Sequence, residues 1–270
     1  MSKNERTYLE GARLNFTSDL AGYKPSRTSV DCISLFGQQN DYSLGEGFPL
    51  FTTKRMQFPK IADELLWFLS GSTELRPLLL KKVPVWNDNA FQYYLQRNNL
   101  EDKLPIYSQE WHSAKKDYIE RVKADEEFAN REGTLGRIYG EQWRHWRTPG
   151  GKEIDQIDDV LELIAKNPSS RRLIVSAWNP GELKETSLPC CCSFMQFYAR
   201  DGTLDLKLTQ RSADKFLGEP WNVASHALLL KLFAEQTNLK PGRFVHSFGD
   251  AHFYCGRGER GEFYKNNFPE

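Results

Sequence analysis

Three consecutive cysteines, Cys190, Cys191 and Cys192, are the first candidates for chemistry in this sequence. A cysteine acts as a nucleophile when its thiol is partly exposed and a nearby positive charge stabilises the thiolate. Arg211 is the natural source of that charge, because it lies at the end of the predicted neighbouring strand. Small buried packing residues are the alternative interpretation of the cysteines. Zinc binding is disfavoured, because adjacent thiols lack the spacing of a zinc knuckle.

Arginines in segments predicted to be well ordered form a second group of candidates. Guanidinium groups bind a phosphate dianion in a bidentate manner, so these side chains indicate an anion site. A surface salt bridge is the alternative role for any one of them. The pair Arg171 and Arg172 directly precedes a predicted buried strand, and this position favours the functional interpretation for both. The four arginines are Arg27, Arg171, Arg172 and Arg211.

Functional side chains concentrate in four short segments, residues 189–193, 210–214, 218–222 and 248–254. All four segments fall on predicted strand ends and turns, where binding and catalytic sites are commonly built.

The elements that must position these segments follow from hydrophobic spacing. Helical spacing predicts a helix over 154–164, which Asn167-Pro168 ends, and a buried strand then starts at Leu173. The segments SFMQFYA and TLDLKLTQ are predicted strands joined by a turn over 200–202. Asn222 is expected to cap the next apolar helix. Strands and helices mix without regular βαβ alternation, which predicts an α+β layered fold, with a large mixed sheet packed against helices.

The composition describes one globular domain spanning 1–270. A polar, charged insertion occupies about 87–133, with one exposed helix expected around 113–130. The 36 basic and 36 acidic residues cancel, so no global field attracts DNA or anionic membrane. No apolar run approaches the roughly 18 residues of a membrane span, and no signal peptide is recognisable, so we expect a soluble cytoplasmic protein. The 5 cysteines are an odd number, which leaves at least one free thiol.

Seven segments, in order along the chain, resemble those of the thymidylate synthase family, which includes deoxypyrimidine-monophosphate hydroxymethylases. They are FPLFTTKR, DELLWFLSGST, GRIYGEQWRHW, DQIDDVLELIAKNPSSRRLIVSAWNP, LPCCCSFMQFY, LTQRSADKFLGEPWNVASHALL and FVHSFGDAHFY. The resemblance covers most of residues 25–255 outside the insertion, and it implies the α+β layered fold of this family.

The resemblance implies transfer of a one-carbon unit from 5,10-methylenetetrahydrofolate, a co-substrate, to C5 of deoxyuridylate. A cysteine thiolate adds to C6 of the uracil, and C5 then attacks the methylene group of the folate. Cys191 matches the nucleophile, and Cys190 stands where the family has proline. The further catalytic residues that the resemblance implies are Glu64, Tyr139, Arg211, Asp214 and Asn222. No metal is implied.

The resemblance also assigns binding roles. Arg27, Arg211 and Ser212 are expected to hold the phosphate, together with Arg171 and Arg172 from the other subunit of a homodimer. Asn222 is expected to recognise the uracil edge, whereas an Asp there would suit cytosine. His252 and Tyr254 match the pair that holds the deoxyribose hydroxyl, and Glu64 and Tyr139 match the residues that organise water near C5. The expected folate contacts are Lys54, Trp86, Asp214, Leu217 and Gly218.

Several positions depart from the family pattern. Cys192 replaces a usual histidine, Asn89 replaces a second tryptophan, and SRTSVDCISLFG lacks a glycine-rich turn. Only a short tail follows Tyr254, whereas the synthases continue through a segment that closes over the folate. Water that reaches the intermediate gives 5-hydroxymethyldeoxyuridylate, so a deoxyuridylate hydroxymethylase is the alternative to a thymidylate synthase. A catalytically inactive protein that binds nucleotide or RNA is a third hypothesis.

Overall fold

The computed structural model describes residues 1–25 and 30–255. Short 3-10 helices cover Leu44–Glu46, Glu101–Lys103 and Pro180–Glu185. The α-helices are α1 (Lys3–Thr17), α2 (Phe58–Leu69), α3 (Leu75–Leu80), α4 (Asn87–Arg97), α5 (Gln109–Ala124), α6 (Glu126–Glu132), α7 (Tyr139–Arg144), α8 (Gln156–Lys166) and α9 (Glu219–Gln236). The strands are β1 (Gly22–Lys24), β2 (Cys32–Phe36), β3 (Gln39–Ser43), β4 (Trp146–Arg147), β5 (Glu153–Ile154), β6 (Ile174–Ser176), β7 (Cys192–Arg200), β8 (Thr203–Asp214) and β9 (Lys240–Tyr254).

The chain divides into two compact units. The first unit comprises the described residues of Met1–Phe58, Leu161–Ile174 and the described part of the chain from Cys191 onward. The second unit comprises Pro59–Val160 and Val175–Cys190.

The first unit contains the strands β1, β2, β9, β8 and β7 of a mixed sheet, in that order, and β3 also pairs with β9. Strands β8 and β9 are parallel, and the other pairs with a described register in this sheet are antiparallel. Parallel neighbours require a crossover connection, and α9 supplies it between β8 and β9. The expected α+β fold with a large mixed sheet and helices is confirmed.

The hairpin between β7 and β8 forms where the sequence predicts it. Asp201 and Gly202 both have positive φ angles, 51° and 74°, as a two-residue hairpin turn requires. The alternating Leu204, Leu206 and Leu208 of β8 are all fully buried, at 0% exposure, so this face of the strand lies in the core.

The apolar helix after β8 begins earlier than the sequence analysis predicts. Helix α9 starts at Glu219, with Pro220 in its first turn. Proline is favoured at the first helical positions, because a backbone N–H there has no hydrogen-bond partner within the helix, so its absence loses no hydrogen bond. Asn222 therefore lies inside the first turn and is not the cap, and its side chain is available for another role.

The second unit is mainly helical and includes the small hairpin formed by β4 and β5. The prediction of one exposed helix over 113–130 is wrong, since α5 ends at Ala124 and α6 follows it. Trp111 is fully buried at 0% exposure and its ring packs edge-on against Phe91 of α4. The charged segment is thus a layer of helices with an aromatic core. Within the described residues, no helix is long and apolar enough to cross a membrane.

Candidate functional site

The three cysteines differ in exposure at the start of β7. Cys191 is partly exposed, whereas Cys190 and Cys192 are both buried at 3% exposure. A bulge lies just beyond them, because Cys192 pairs with Gln210 and Phe194 pairs with Thr209, which leaves Ser193 as an extra residue. Bulges re-aim neighbouring side chains and occur often beside active sites. Of the three thiols, that of Cys191 is the most accessible to a reactant.

Arg211 of β8 contacts Cys191 through both backbone and side chain. Its backbone N–H donates to the Cys191 carbonyl at 2.9 Å, and its Nη2 atom lies 3.5 Å from the Cys191 sulfur. A guanidinium at this distance favours the thiolate form of a cysteine. Gly249 of β9 allows the close approach on the other side, because a Cβ there would lie 2.7 Å from the Arg211 carbonyl oxygen.

Asn222 is held through the side chain of Gln210. The Nε2 atom of Gln210 donates to the backbone carbonyl of Ser212 at 2.9 Å and to Oδ1 of Asn222 at 3.2 Å. Gln210 is buried, at 3% exposure, while Ser212 and Asn222 are partly exposed. The two neighbours of Arg211 on β8 are thereby linked to the first turn of α9.

Two buried histidines are linked to Asn222, one directly and one through Gln210. His246 is fully buried and its Nε2 atom lies 2.8 Å from Oε1 of Gln210. His226 is 4% exposed and its Nδ1 atom lies 2.8 Å from the backbone carbonyl of Asn222. Burial lowers the pKa of His226 to about 4 and holds the pKa of His246 well below its usual value, so both rings are neutral at neutral pH.

Near the end of β9, His252 is oriented by Asp250. The Nδ1 atom of His252 lies 3.2 Å from Oδ1 of Asp250, and the ring of Tyr254 stands edge-on to it at 5.2 Å. Asp250 also accepts from Lys24 and from the Ser34 hydroxyl. Hydrogen bonding to His252, Lys24 and Ser34 lowers the pKa of the Asp250 carboxyl. An ionised Asp250 therefore fixes a proton on Nδ1 of His252 and leaves Nε2 for another partner.

The loop between β8 and α9 carries several of the residues expected to contact folate. Oδ1 of Asp214 accepts from the backbone N–H groups of Phe216 and Leu217, at 2.9 and 2.8 Å. Lys54 donates to the Leu217 carbonyl at 3.0 Å, and partial burial lowers the pKa of its ammonium group. Leu217 is 52% exposed, and Gly218 follows it at the start of α9. The loop thus presents apolar surface on a fixed backbone.

A buried ion pair stabilises the same loop. Lys215 and Glu219 are both fully buried and form a salt bridge. The Glu219 carboxylate also accepts from the Tyr42 hydroxyl at 2.9 Å and from the Asn40 amide at 2.8 Å. Burial raises the pKa of Glu219 and lowers the pKa of Lys215, while each partner opposes the shift of the other. The carbonyl of Lys215 accepts from the Tyr8 hydroxyl, which ties the loop to α1.

The second unit brings Glu64, Trp86 and Tyr139 together in a cluster of its own. The indole N–H of Trp86 donates to the Glu64 carboxylate at 2.8 Å, and the Trp86 and Tyr139 rings lie 5.8 Å apart. Both rings also pack against Phe68. Tyr139 starts α7 with a positive φ of 28°, and its backbone N–H donates to the Cys190 sulfur at 3.1 Å. Trp86 thus contacts both a buried carboxylate and a buried tyrosine.

The arginines expected to bind phosphate fall into three situations. Arg211 lies beside Cys191, as described above. Arg171 and Arg172 are exposed, and among the described residues their guanidinium groups form no ion pair. Arg27 lies outside the described residues.

Sequence reasoning missed the residues that support the site from behind. Gln210 lies in the predicted segment 210–214, but neither it nor His246 was given a role, because their positions on adjacent strands β8 and β9 emerge only in the fold. The spacing of four residues between Lys215 and Glu219 was the available signal for that pair. Within the described part of the chain, no group of three or more His, Cys, Asp or Glu is arranged to hold a metal ion.

Comparison with known proteins agrees with this arrangement. The family model for thymidylate synthase matches residues 17–263. A thymidylate synthase of Listeria monocytogenes serotype 4a (strain HCC23) is 45% identical over 242 residues, which is 86% of this chain and 77% of that protein. A thymidylate synthase of Listeria innocua serovar 6a shows the same identity and coverage. These names support the synthase over the hydroxymethylase, and the resemblance of the seven segments is confirmed. This chain belongs to the thymidylate synthase family.

Proposed function

We propose that this chain transfers a one-carbon unit from 5,10-methylenetetrahydrofolate to C5 of deoxyuridylate and releases thymidylate. The observation that carries the proposal is the partly exposed thiol of Cys191 beside the guanidinium of Arg211, at 3.5 Å. A thiolate at this position is the nucleophile that the family reaction requires. The 45% identity to thymidylate synthases across most of the chain supports the same activity.

The nucleotide is proposed to lie along the edge formed by β8, the start of α9 and the end of β9. Arg211 and Ser212, joined by Arg27, bind the 5′ phosphate. Asn222 pairs with the uracil edge, and Nε2 of His252, with Tyr254, binds the deoxyribose hydroxyl. The hydrogen bonds from Gln210 to Asn222 and from His252 to Asp250 support these roles, because they orient both groups in advance.

The remaining phosphate contacts are proposed to come from Arg171 and Arg172 of the other subunit of a homodimer. The exposure of both side chains supports this role, as does the lack of an ion pair for them among the described residues. Two exposed cations without a carboxylate partner are suited to an anion supplied from outside their own chain.

Glu64 and Tyr139 are proposed to organise the water that takes the C5 proton. The hydrogen bond from Trp86 to Glu64 supports a fixed carboxylate position. Asp214, Leu217 and Gly218 are proposed to contact the folate together with Trp86, while Lys54 faces its polyglutamate. The exposed side chain of Leu217 on a pinned loop supports apolar contact with a flat ring.

A cytoplasmic location is proposed for this reaction. The chain has 5 cysteines, an odd number that does not suit a disulfide framework, and such cysteine usage is typical of proteins in reducing compartments.

Product analysis tests the proposed function. The protein is incubated with deoxyuridylate and methylenetetrahydrofolate, and the nucleotide is identified by mass spectrometry while dihydrofolate is followed by its absorbance. We expect thymidylate and an equal amount of dihydrofolate. A hydroxymethyl nucleotide with no dihydrofolate contradicts the synthase in favour of the hydroxymethylase. Bound deoxyuridylate that retains its C5 hydrogen, with no product, indicates an inactive binding protein.

A further inference from the structure

The amide of Asn222 can in principle recognise two different pyrimidines. In one orientation Nδ2 donates to O4 of uracil while Oδ1 accepts from N3–H. After a half-turn of the amide, Nδ2 donates to N3 of cytosine while Oδ1 accepts from the 4-amino group. An asparagine therefore selects uracil only when its surroundings fix which of its two terminal atoms is the oxygen.

The hydrogen bonds around Gln210 determine the orientation of its own amide. The Ser212 carbonyl can only accept, so the atom of Gln210 at 2.9 Å from it must be the nitrogen. The same nitrogen lies 3.2 Å from Asn222, and it therefore requires the oxygen of the Asn222 amide to face it. The Gln210 oxygen consequently points to His246, at 2.8 Å, where it needs a donor.

His246 supplies that donor from a fully buried position. An amide oxygen cannot donate, so the His246 proton must reside on Nε2. The ring is held between aromatic neighbours, with the Phe244 and Phe248 centroids at 5.3 and 4.0 Å. His226 acts on the same residue from the other side, because its Nδ1 lies 2.8 Å from the Asn222 backbone carbonyl. One buried imidazole thus contacts the backbone of Asn222 directly, and the other is linked to its amide through Gln210.

We propose that His246, acting through Gln210, is a positioning residue that locks the Asn222 amide in the orientation for uracil and so excludes cytosine. The inference rests on the proposed function, because it concerns how the same site distinguishes its nucleotide. Without the His246 donor, the Gln210 oxygen is buried and unpaired, and within this chain of hydrogen bonds only the Ser212 carbonyl still holds the Gln210 side chain. A Gln210 side chain that moves away from Asn222 no longer requires the Asn222 oxygen to face it, and the Asn222 amide can then turn and pair with cytosine.

The test compares the affinities for deoxyuridylate and deoxycytidylate by calorimetry in the unaltered protein, in His246→Phe and in His246→Gln. Phenylalanine keeps a ring between Phe244 and Phe248 but removes the donor, whereas glutamine restores an N–H donor. We expect His246→Phe to reduce the preference for deoxyuridylate by about tenfold or more, the value of one lost hydrogen bond in a buried site. His246→Gln should retain the preference to within about threefold.

The outcomes separate the inference from the function on which it rests. An unchanged preference in folded His246→Phe, or an equal loss of affinity for both nucleotides, overturns the positioning role alone. Failure of the unaltered protein to bind deoxyuridylate overturns the proposed function and the inference with it. If His246→Phe does not fold, nitrogen-15 NMR of the unaltered protein decides, since the inference requires the Nε2–H tautomer of His246 and the Nδ1–H tautomer overturns it.

Discussion

The sulfur of Cys191 lies 3.5 Å from Nη2 of Arg211, while the buried Cys190 sulfur accepts a backbone N–H from Tyr139. Two adjacent thiols thus have different roles, one beside a cation at a partly exposed position and one within the packing.

Replacement of the two thiols should have unequal effects on activity. Cys191→Ser removes the nucleophile, so thymidylate formation should fall by at least about 10⁴-fold. Cys190→Ser is the matched control, because its hydroxyl can still accept from the Tyr139 N–H, and the rate should stay within about tenfold. Steady-state dihydrofolate release measures both. Equal losses in the two variants would contradict the assignment of Cys191 as the nucleophile.

Mixing of two inactive variants should restore activity if the arginines act in the partner's site. Cys191→Ser has intact arginines, and the double variant Arg171→Ala/Arg172→Ala has an intact thiol. After subunit exchange at equal concentrations, half of the dimers are mixed and each has one complete site, so roughly a quarter of the sites should be active. Each variant alone is the control. No recovery despite demonstrated exchange contradicts the shared site.

Asp250 should affect the recognition of the deoxyribose hydroxyl through His252. Asp250→Asn removes the charge that fixes the proton on His252 Nδ1, so the affinity for deoxyuridylate should fall by about tenfold, the value of one hydrogen bond. The loss should be much smaller for the 3′-deoxy analogue, which lacks the hydroxyl. Lys24→Met is the control, because it removes only the exposed partner of Asp250. An equal loss for both ligands would indicate a purely structural effect.

The buried pair of Lys215 and Glu219 should show strong coupling in stability. Lys215→Met leaves the Glu219 carboxylate buried without its cation, which should reduce the free energy of unfolding by about 3–5 kcal/mol. Adding Glu219→Gln should restore most of this loss, since glutamine is neutral and still accepts from Tyr42 and Asn40. Urea unfolding of the single and double variants measures the coupling. Additive losses would mean that the two charges act independently.

His226 should make the stability depend on pH. Its pKa is about 4 in the folded protein, against about 6.5 for an exposed histidine, so the unfolded chain binds more protons between these values. Stability should therefore rise with pH through this window, by about 2 kcal/mol between pH 5 and pH 7 from this residue. His226→Gln should remove that part in urea unfolding. A pH dependence in this variant as steep as in the unaltered protein would contradict a buried neutral imidazole.

Local signals made the sheet predictable, and tertiary packing limited the rest. The turn over 200–202 and the two strands that it joins are encoded by neighbouring residues, and both expectations are confirmed. The aromatic core under the charged helices was missed, because Phe91 and Trp111 come from separate helices and meet only through packing. The start of α9 was misplaced because Asn222 was interpreted as a cap.

The sequence predicted only part of the candidate site. Family segments identified Cys191 and Arg211, which the structure places in contact. The residues that support them were hidden for a physical reason: burial of Lys215 and Glu219 depends on a partner in the core, and the usual expectation for charged residues is exposure to solvent.

The extra residue Ser193 in β7 has a consequence for the evolution of the chain. Side chains alternate between the two faces of a strand, so removal of one residue here would turn the Cys191 thiol toward the opposite face. Insertions and deletions should therefore be absent from residues 191–194, at the start of β7. The turn at Asp201 and Gly202, at the far end of the same strand, should tolerate changes in length.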